Sequence, residues 1–237
     1  MRNINTIDAD YATFQSGFSL GLVERPLKKN EYLQKLISNY PNSNYLDDAY
    51  FELADNFLSQ NQTNEAIKYY RKIEKEYPGS SYYVKSLVQL GLIYYNQDKL
   101  DSSAMYYKRV VEEYPGSPES KNALVGIRNI YVDKGDVESY FTYSSQLGNF
   151  ANIGLAEKDS LTYMSAEKTY MNGDCNKSIP ILENYINDYP KGSFLLNANY
   201  YLGDCYYKMS QFDKAVNCFS QVIQRQKNDF TEQSILS

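Results

Sequence analysis

An all-α array of about six helix pairs is the fold this sequence predicts, and three observations predict it. A short stretch recurs along the chain. It appears as Asn39-Tyr40-Pro41-Asn42-Ser43, Glu76-Tyr77-Pro78-Gly79-Ser80 and Glu113-Tyr114-Pro115-Gly116-Ser117, with a looser copy at Asp188-Tyr189-Pro190-Lys191-Gly192-Ser193. Tyr40, Tyr77 and Tyr114 stand 37 residues apart, and Tyr189 follows Tyr114 by 75, two periods plus one inserted residue. A fixed period of roughly 20–50 residues marks stacked repeats. Between the copies, apolar residues return at spacings of three and four, which places them on one face of a helix. No alternating pattern of strand length competes with this.

Laid on the prolines, the repeat units run approximately 10–41, 45–78, 82–115, 119–152, 157–190 and 194–227. In the first, Tyr11, Phe14, Phe18 and Leu22 line an opening helix. Pro26 sits in the following turn or the next helix's first turn, where it is tolerated, and Leu33, Leu36 and Ile37 face inward after it. In the second, Leu46, Ala49, Tyr50, Leu53, Ala54 and Phe57 form the first stripe, with Ser43 or Asn44 as the cap. Asn61 to Asn64 makes the turn, with Thr63 as the next N-cap, and Ala66, Ile67, Tyr70 and Ile73 continue the stripe. Tyr77-Pro78 stops it, because proline has no N–H and restricts the residue before it.

The third unit repeats this with Leu87, Leu90, Gly91 and Tyr94, then Leu100, Ser103, Tyr107 and Val110. The fourth carries Leu124, Ile127, Ile130 and Tyr131, a Lys134-Gly135-Asp136 turn, and Val137 to Leu147. Gly148 to Asn152 then stands where Tyr-Pro is expected, which predicts the weakest joint, a bend or loosened loop. The fifth has Leu161, Met164, Ala166 and Tyr170, then Ile181, Leu182, Tyr185 and Ile186, with Pro180 near a helix start. The sixth has Tyr201, Leu202, Gly203 and Tyr206, then Ala215, Phe219, Val222 and Ile223.

Composition narrows function by exclusion. The chain has 237 residues, 24 basic and 29 acidic, for a net charge of −5. No basic run supplies the electrostatic footprint of a nucleic-acid binder. No apolar stretch reaches the length needed to span a bilayer, and the first residues show no apolar signal core. The chain is expected to be cytoplasmic, or a segment of a longer, exported protein. There are no histidines, so the commonest general base and metal ligand is missing. Cys175, Cys205 and Cys218 are too few and too irregular for a disulfide framework or zinc site. They read as small buried thiols, with a Cys205–Cys218 bridge as the alternative. Serine and cysteine nucleophiles lack a base, and no glycine-rich phosphate loop follows a strand. Neither enzyme activity, nor a cofactor, nor a metal is expected. Aromatic usage is unusual, with 26 Tyr, 10 Phe and no Trp. Tyrosine suits both a core and a wet binding face.

The pattern resembles the tetratricopeptide repeat (TPR) family, two antiparallel helices per unit. Its small first-helix residue matches Gly17, Ala54, Gly91, Ala166 and Gly203, after the large residue at Leu53, Leu90 and Leu202. Its next aromatic matches Phe57, Tyr94, Tyr131 and Tyr206. On the second helix the small residue matches Ala66, Ser103, Ser178 and Ala215, and the later large one Leu33, Tyr70, Tyr107, Leu182 and Phe219. The closing proline matches Pro41, Pro78, Pro115 and Pro190. Arg128 and Tyr140 depart from the small residues of the fourth unit. The Leu90-Gly91-Leu92-Ile93-Tyr94-Tyr95 and Leu202-Gly203-Asp204-Cys205-Tyr206-Tyr207 openers, with the Tyr-Pro-Gly-Ser closers, are similar to repeats of bacterial cell-envelope proteins, of the barrel-assembly lipoprotein and Tol-Pal coordinator type. That likeness implies a periplasmic location if a signal peptide lies outside this chain. The lipidated cysteine of that lipoprotein is absent, so anchoring is not implied.

The resemblance implies a right-handed superhelix with a ligand face on its concave side. Carried over by position, that face displays Phe51 and Asp55; Val88, Leu92 and Tyr95; Asn129; Tyr163 and Tyr170; and Tyr200, Asp204 and Tyr207. Phe14, Phe18, Leu58, Val125, Val132 and Glu167 flank them. The function implied is a non-catalytic scaffold that binds a partner peptide or domain on exposed tyrosines. Packing of the same rings between repeats, in an array that joins other domains, is the structural alternative, and a helical-solenoid enzyme is the catalytic one. Lys85 and Asn129 are isolated candidates for gripping a terminal carboxylate.

Overall fold

The recurring Tyr-Pro closer ends helices through its own backbone. The computed structural model describes residues 9–224. In it, the N–H groups of Tyr40, Tyr77, Tyr114 and Tyr189 donate to Leu36, Ile73, Val110 and Tyr185 carbonyls at 2.9–3.0 Å. Their own carbonyls accept from Ser43, Ser80, Ser117 and Gly192 N–H groups three residues on. The intervening proline cannot extend the ladder. Ser43 and Ser80 hydroxyls then accept from the Tyr45 and Tyr82 N–H groups, so the serine caps the entrance to the next unit from just outside the helix.

Between the closers lie α1 (Ala9–Leu22), α2 (Pro26–Asn39), α3 (Leu46–Ser59), α4 (Thr63–Glu76), α5 (Tyr83–Asn96), α6 (Leu100–Glu113), α7 (Pro118–Lys134), α8 (Val137–Gln146), α9 (Leu155–Met171), α10 (Cys175–Asp188), α11 (Leu195–Lys208) and α12 (Phe212–Ile223). Among the described residues these twelve helices and one 3₁₀ turn, Asn149–Ala151, are the secondary structure, with no strand. The fold is all-α, as the periodicity predicts. Contacts divide the chain into two compact units, one ending at Gly126 and one starting at Ile127.

In the first unit, α1 packs on α2, α3 on α4 and α5 on α6, and successive pairs meet through α2 with α3 and α4 with α5. Small-against-large packing sets the pair spacing. A Cβ on Gly17 would lie 3.0 Å from Leu33, and one on Gly91 2.6 Å from Tyr107. The Ser103 hydroxyl, buried on α6, donates to the Gly91 carbonyl at 2.7 Å. Gly126, which the repeat pattern did not single out, meets the other edge of Tyr107, 2.3 Å from a would-be Cβ. Leu33, Leu53, Tyr70, Ile73, Leu87, Leu90 and Val110 are fully buried. Tyr11, Phe18 and Leu22, predicted on the inward stripe of α1, are exposed, with Phe14 buried between them.

In the second unit, α9 packs on α10 and α11 on α12, and α10 meets α11. Gly203 repeats the close approach, 2.7 Å from Phe219. Leu182 and Tyr185 are fully buried. The Tyr185 hydroxyl donates to Asp159 at 2.6 Å, whose other oxygen accepts the Ser193 N–H. Pro180 falls inside α10 rather than at its start, and Met164 faces solvent. The predicted weak joint is organised locally. α8 is only 10 residues long, Gly148 takes a positive φ of 76°, and the Ser144 hydroxyl donates to the Ala151 carbonyl. On α12, Phe212, Val216 and Ile223 are exposed. Ile179 and Ile186, at the α10 positions matching Val216 and Ile223, are partly buried against the core. α11 covers α10, and no described helix follows α12.

Two capping expectations are corrected. Thr63 is the first residue of α4, behind Gln62, and makes no side-chain cap; Tyr45, not Ser43 or Asn44, holds the cap position of α3. The cysteine reading is corrected too. Cys175 and Cys205 are joined, with Cα atoms 5.3 Å apart, and Cys218 is the free thiol. Spacing hid this pairing because it joins adjacent repeats rather than one helix pair.

Candidate partner-binding face

On α3, α9 and α11 aromatic rings lie near carboxylates, and Asp55, Asp159, Glu167 and Asp204 each accept from a tyrosine hydroxyl. In the first unit, Phe51 stacks on Tyr82 at 4.6 Å and meets Tyr70 edge-on. Asp55, one turn on, accepts from the Tyr70 hydroxyl. Burial lifts the Asp55 carboxyl above its ordinary value, against the lowering effect of that hydrogen bond. Asp48 is raised in the same way, by burial and then by Asp47, and the Tyr82 hydroxyl is pushed up to about 12 by burial and by Asp48. Glu52 pairs with the buried Lys29 at 2.5 Å. On α5, Val88, Leu92 and Tyr95 follow at helical spacing. Leu92 is 42% exposed, and Val88 and Tyr95 are half-buried. Lys85 lies over the Tyr82 ring at 5.4 Å.

In the second unit, Tyr163 is 3% exposed and stacks on Phe194 at 4.3 Å. Its hydroxyl donates to Glu167 at 2.6 Å, which also accepts from Tyr201. Tyr163 is therefore a packing residue here and offers no open ring; its predicted place on the surface is corrected. Tyr170 stacks on Tyr201 at 4.3 Å and donates to Asp204 at 2.8 Å. Lys208 pairs with Asp204 at 2.5 Å and sits over the Tyr170 ring. Burial, then the hydrogen bond to Asp204, raises the Tyr170 hydroxyl well above the usual phenol value. Tyr200 is half-buried between Tyr201 and Phe219. Tyr207 is 46% exposed and meets Phe212 edge-on. Asn129 is exposed on α7.

The structure thus gathers Phe51 and Asp55, and separately Tyr170, Tyr200, Asp204 and Tyr207, into two ring-and-carboxylate sets, each within its own unit. Sequence reasoning missed Tyr82, Tyr201 and Lys208. The spacing of Asp204 and Lys208, four residues apart on one helix, carries a signal for the last. Clefts of about 250 and 320 Å³ open elsewhere in the second unit, the first between Phe141 and Lys158 and the second between Leu155 and Gly192. Neither touches these sets. Among the described residues no group of three or more potential ligands could hold a metal, and no helix is long and apolar enough to cross a membrane.

Residues 48–80 and 85–117 match one tetratricopeptide-repeat family model, and residues 197–229 match another. No curated protein matches the chain by sequence. Among solved structures, a tetratricopeptide repeat protein from Parabacteroides merdae is similar, with 13% identity, 92% of this chain and 80% of that one covered, and a TM-score of 0.53. PilF of Pseudomonas aeruginosa superposes at a TM-score of 0.46, with 14% identity and 97% of both chains covered. The TPR domain of P58(IPK) superposes at 0.43, with 16% identity and 91% and 60% covered. The likeness of fold rests on the first. With its paired helices, its small-against-large contacts and these matches, the chain carries tetratricopeptide repeats, matched at residues 48–80, 85–117 and 197–229.

Proposed function

We propose that this chain is a non-catalytic scaffold that holds a partner peptide or domain on the first-helix faces. Tetratricopeptide repeats are in general protein–protein interaction modules, which supports the class. The observation that carries the finer reading is the Tyr170–Tyr201–Asp204–Tyr207 set. There, a stacked ring pair and a hydrogen-bonded carboxylate lie beside a ring that is 46% exposed. Rings already held by neighbours lose little freedom on binding, so contact area costs little entropy. Leu92 and Tyr95 are the matching candidates in the first unit, with Phe51, Asp55 and Val88 behind them, and Asn129 and Tyr200 at the margins.

The Cys175–Cys205 bond supports an oxidising compartment, because disulfides persist outside the reducing cytosol. A periplasmic location, with the envelope-type resemblance, fits that. A second reading has its own support. Phe51 and Tyr163 are both used in packing between repeats, as a structural array joining other domains requires.

A photo-crosslinking residue placed at Tyr207, at Leu92 and, as a control, at the exposed Lys121 separates the two. Incubated with a bacterial envelope fraction, the scaffold gives discrete adducts at 207 or 92 and none at 121. Adducts at all three alike, or at none, would favour the structural array.

A further inference from the structure

The second-helix start and the next first helix touch at a fixed place in the repeat. α2 and α3 are each 149 residues before α10 and α11, and all four are 14 residues long. On that register Pro26 corresponds to Cys175 and Asn56 to Cys205. In the first unit the Asn56 amide donates to the Pro26 carbonyl at 2.9 Å and to Asn30 at 2.7 Å. In the second unit the same two positions carry the disulfide. The bond therefore occupies the place of a junction pin.

Its neighbours in sequence are the ring and the carboxylate described above. Tyr170 lies in the last turn of α9, five residues before Cys175, and Asp204 precedes Cys205 directly. The disulfide closes a loop of residues 175–205 that contains Asp204, and Tyr170, which donates to Asp204, lies five residues outside it. Cys205 is fully buried, whereas Cys175 is half-buried at the first position of α10, so Cys175 is the more open end of the bond. Cys218 is half-buried, and burial pushes its thiol up to about 11, so it is a poor partner for exchange.

We propose that the Cys175–Cys205 bond is a redox-operated pin on the α9–α11 face. Oxidised, it holds Asp204 under Tyr170; reduced, it frees α11 and opens the pair. The step consumes a dithiol: two electrons and two protons pass to the bridge, the S–S bond breaks, two thiols form, and the dithiol becomes a disulfide. That this regulates partner capture rests on the scaffold reading. The pin itself does not.

The test uses the full chain without a partner. Hydrogen–deuterium exchange is followed for peptides across 195–208 and, as internal reference, 46–113, before and after dithiothreitol. A fluorotyrosine placed at 170 reports the ring by fluorine NMR. Reduction is expected to speed exchange of 195–208 by about a few hundredfold, as opening a closed loop of this length implies. The reference should not change, and the fluorine resonance should move toward free tyrosine. Cys218→Ser is expected to keep the whole response, and Cys175→Ala/Cys205→Ala to show fast exchange with or without dithiol. Exchange of 195–208 within twofold after reduction, an unmoved fluorine resonance, or loss of the response in Cys218→Ser would overturn the proposal. Failed crosslinking at Tyr207 would count against the scaffold reading alone.

Discussion

The α2–α3 junction of the first unit and the α10–α11 junction of the second solve one problem in two ways. Both join positions 30 residues apart in sequence. One uses an amide donating to a carbonyl, the other a covalent bond. The repeat dictates where the contact falls but not its chemistry, because packing of helix on helix fixes the backbone distance and leaves the linking atoms free. A neutral hydrogen bond contributes about 1 kcal/mol net. A disulfide closing a loop of this size contributes about 3–4 kcal/mol, chiefly by restricting the unfolded chain. The second unit is thus tied more strongly at this position, and only there does the tie depend on redox state.

The most direct way to break the contrast is to move the covalent solution into the first unit. Pro26→Cys/Asn56→Cys, oxidised, is expected to raise the stability of the first unit by up to about 3 kcal/mol, read as a higher urea midpoint that falls back on reduction. No gain under oxidising conditions would show that the two junctions are not equivalent in geometry. Weakening the same junction gives a smaller effect. Asn56→Ala leaves the buried Asn30 side chain without its donor and should cost about 1–3 kcal/mol. Asn56→Asp, which keeps shape but loses the N–H donor, should be no better tolerated. A cost under a few tenths would mean that the amide is incidental.

Much of this was legible in the sequence, and the remainder has physical reasons. The closers, the small residues and their large partners were readable because each is a local steric demand. A Tyr-Pro pair ends a helix wherever it stands, and Gly91 leaves room for Tyr107 whatever surrounds them. The disulfide was not readable, because Cys175 and Cys205 belong to different pairs and their proximity depends on how α11 lies against α10. Tyr163 and Tyr207 show the same limit. Both were placed on one face by register, yet Phe194 stacks over the first and buries it, whereas the second meets the Phe212 ring edge-on and stays 46% exposed. Register gives direction along a helix; burial depends on the neighbour that lies across it.

The face carboxylates sharpen the comparison through pH. The folded-state value for Asp55 lies above that of an unfolded carboxyl, chiefly through burial. The folded state therefore holds this proton more tightly. Its stabilising contribution is fully present below the unfolded value and is lost as pH rises through the folded one. Asp55→Asn keeps an acceptor for the Tyr70 hydroxyl and removes the charge. The variant should lose the part of the slope that sets in as pH rises above about 4, the usual carboxyl value, and be slightly more stable at pH 7. Urea midpoints across this range measure it, and an unchanged slope would show that Asp55 does not report on the fold.

The smallest expected effect lies in the turns inside each pair, where the period is most regular. Glu24, Asn61, Asp98, Gly135, Gly173 and Ser210 all take positive φ, between 54° and 78°, at spacings of 37, 37, 37, 38 and 37 residues. The turn demands a left-handed residue in both units, and only two of the six positions hold glycine. Asn and Asp reach this region at modest cost because their short side chains bond locally, whereas Glu and Ser are strained there. Glycine removes the strain but adds entropy to the unfolded chain. Ser210→Gly and Glu24→Gly should therefore stabilise by a few tenths to about 1 kcal/mol, and Asn61→Gly by less. Equal gains at Asn61 and Ser210 would mean that the side chain plays no part in the turn, and that helix packing alone holds it.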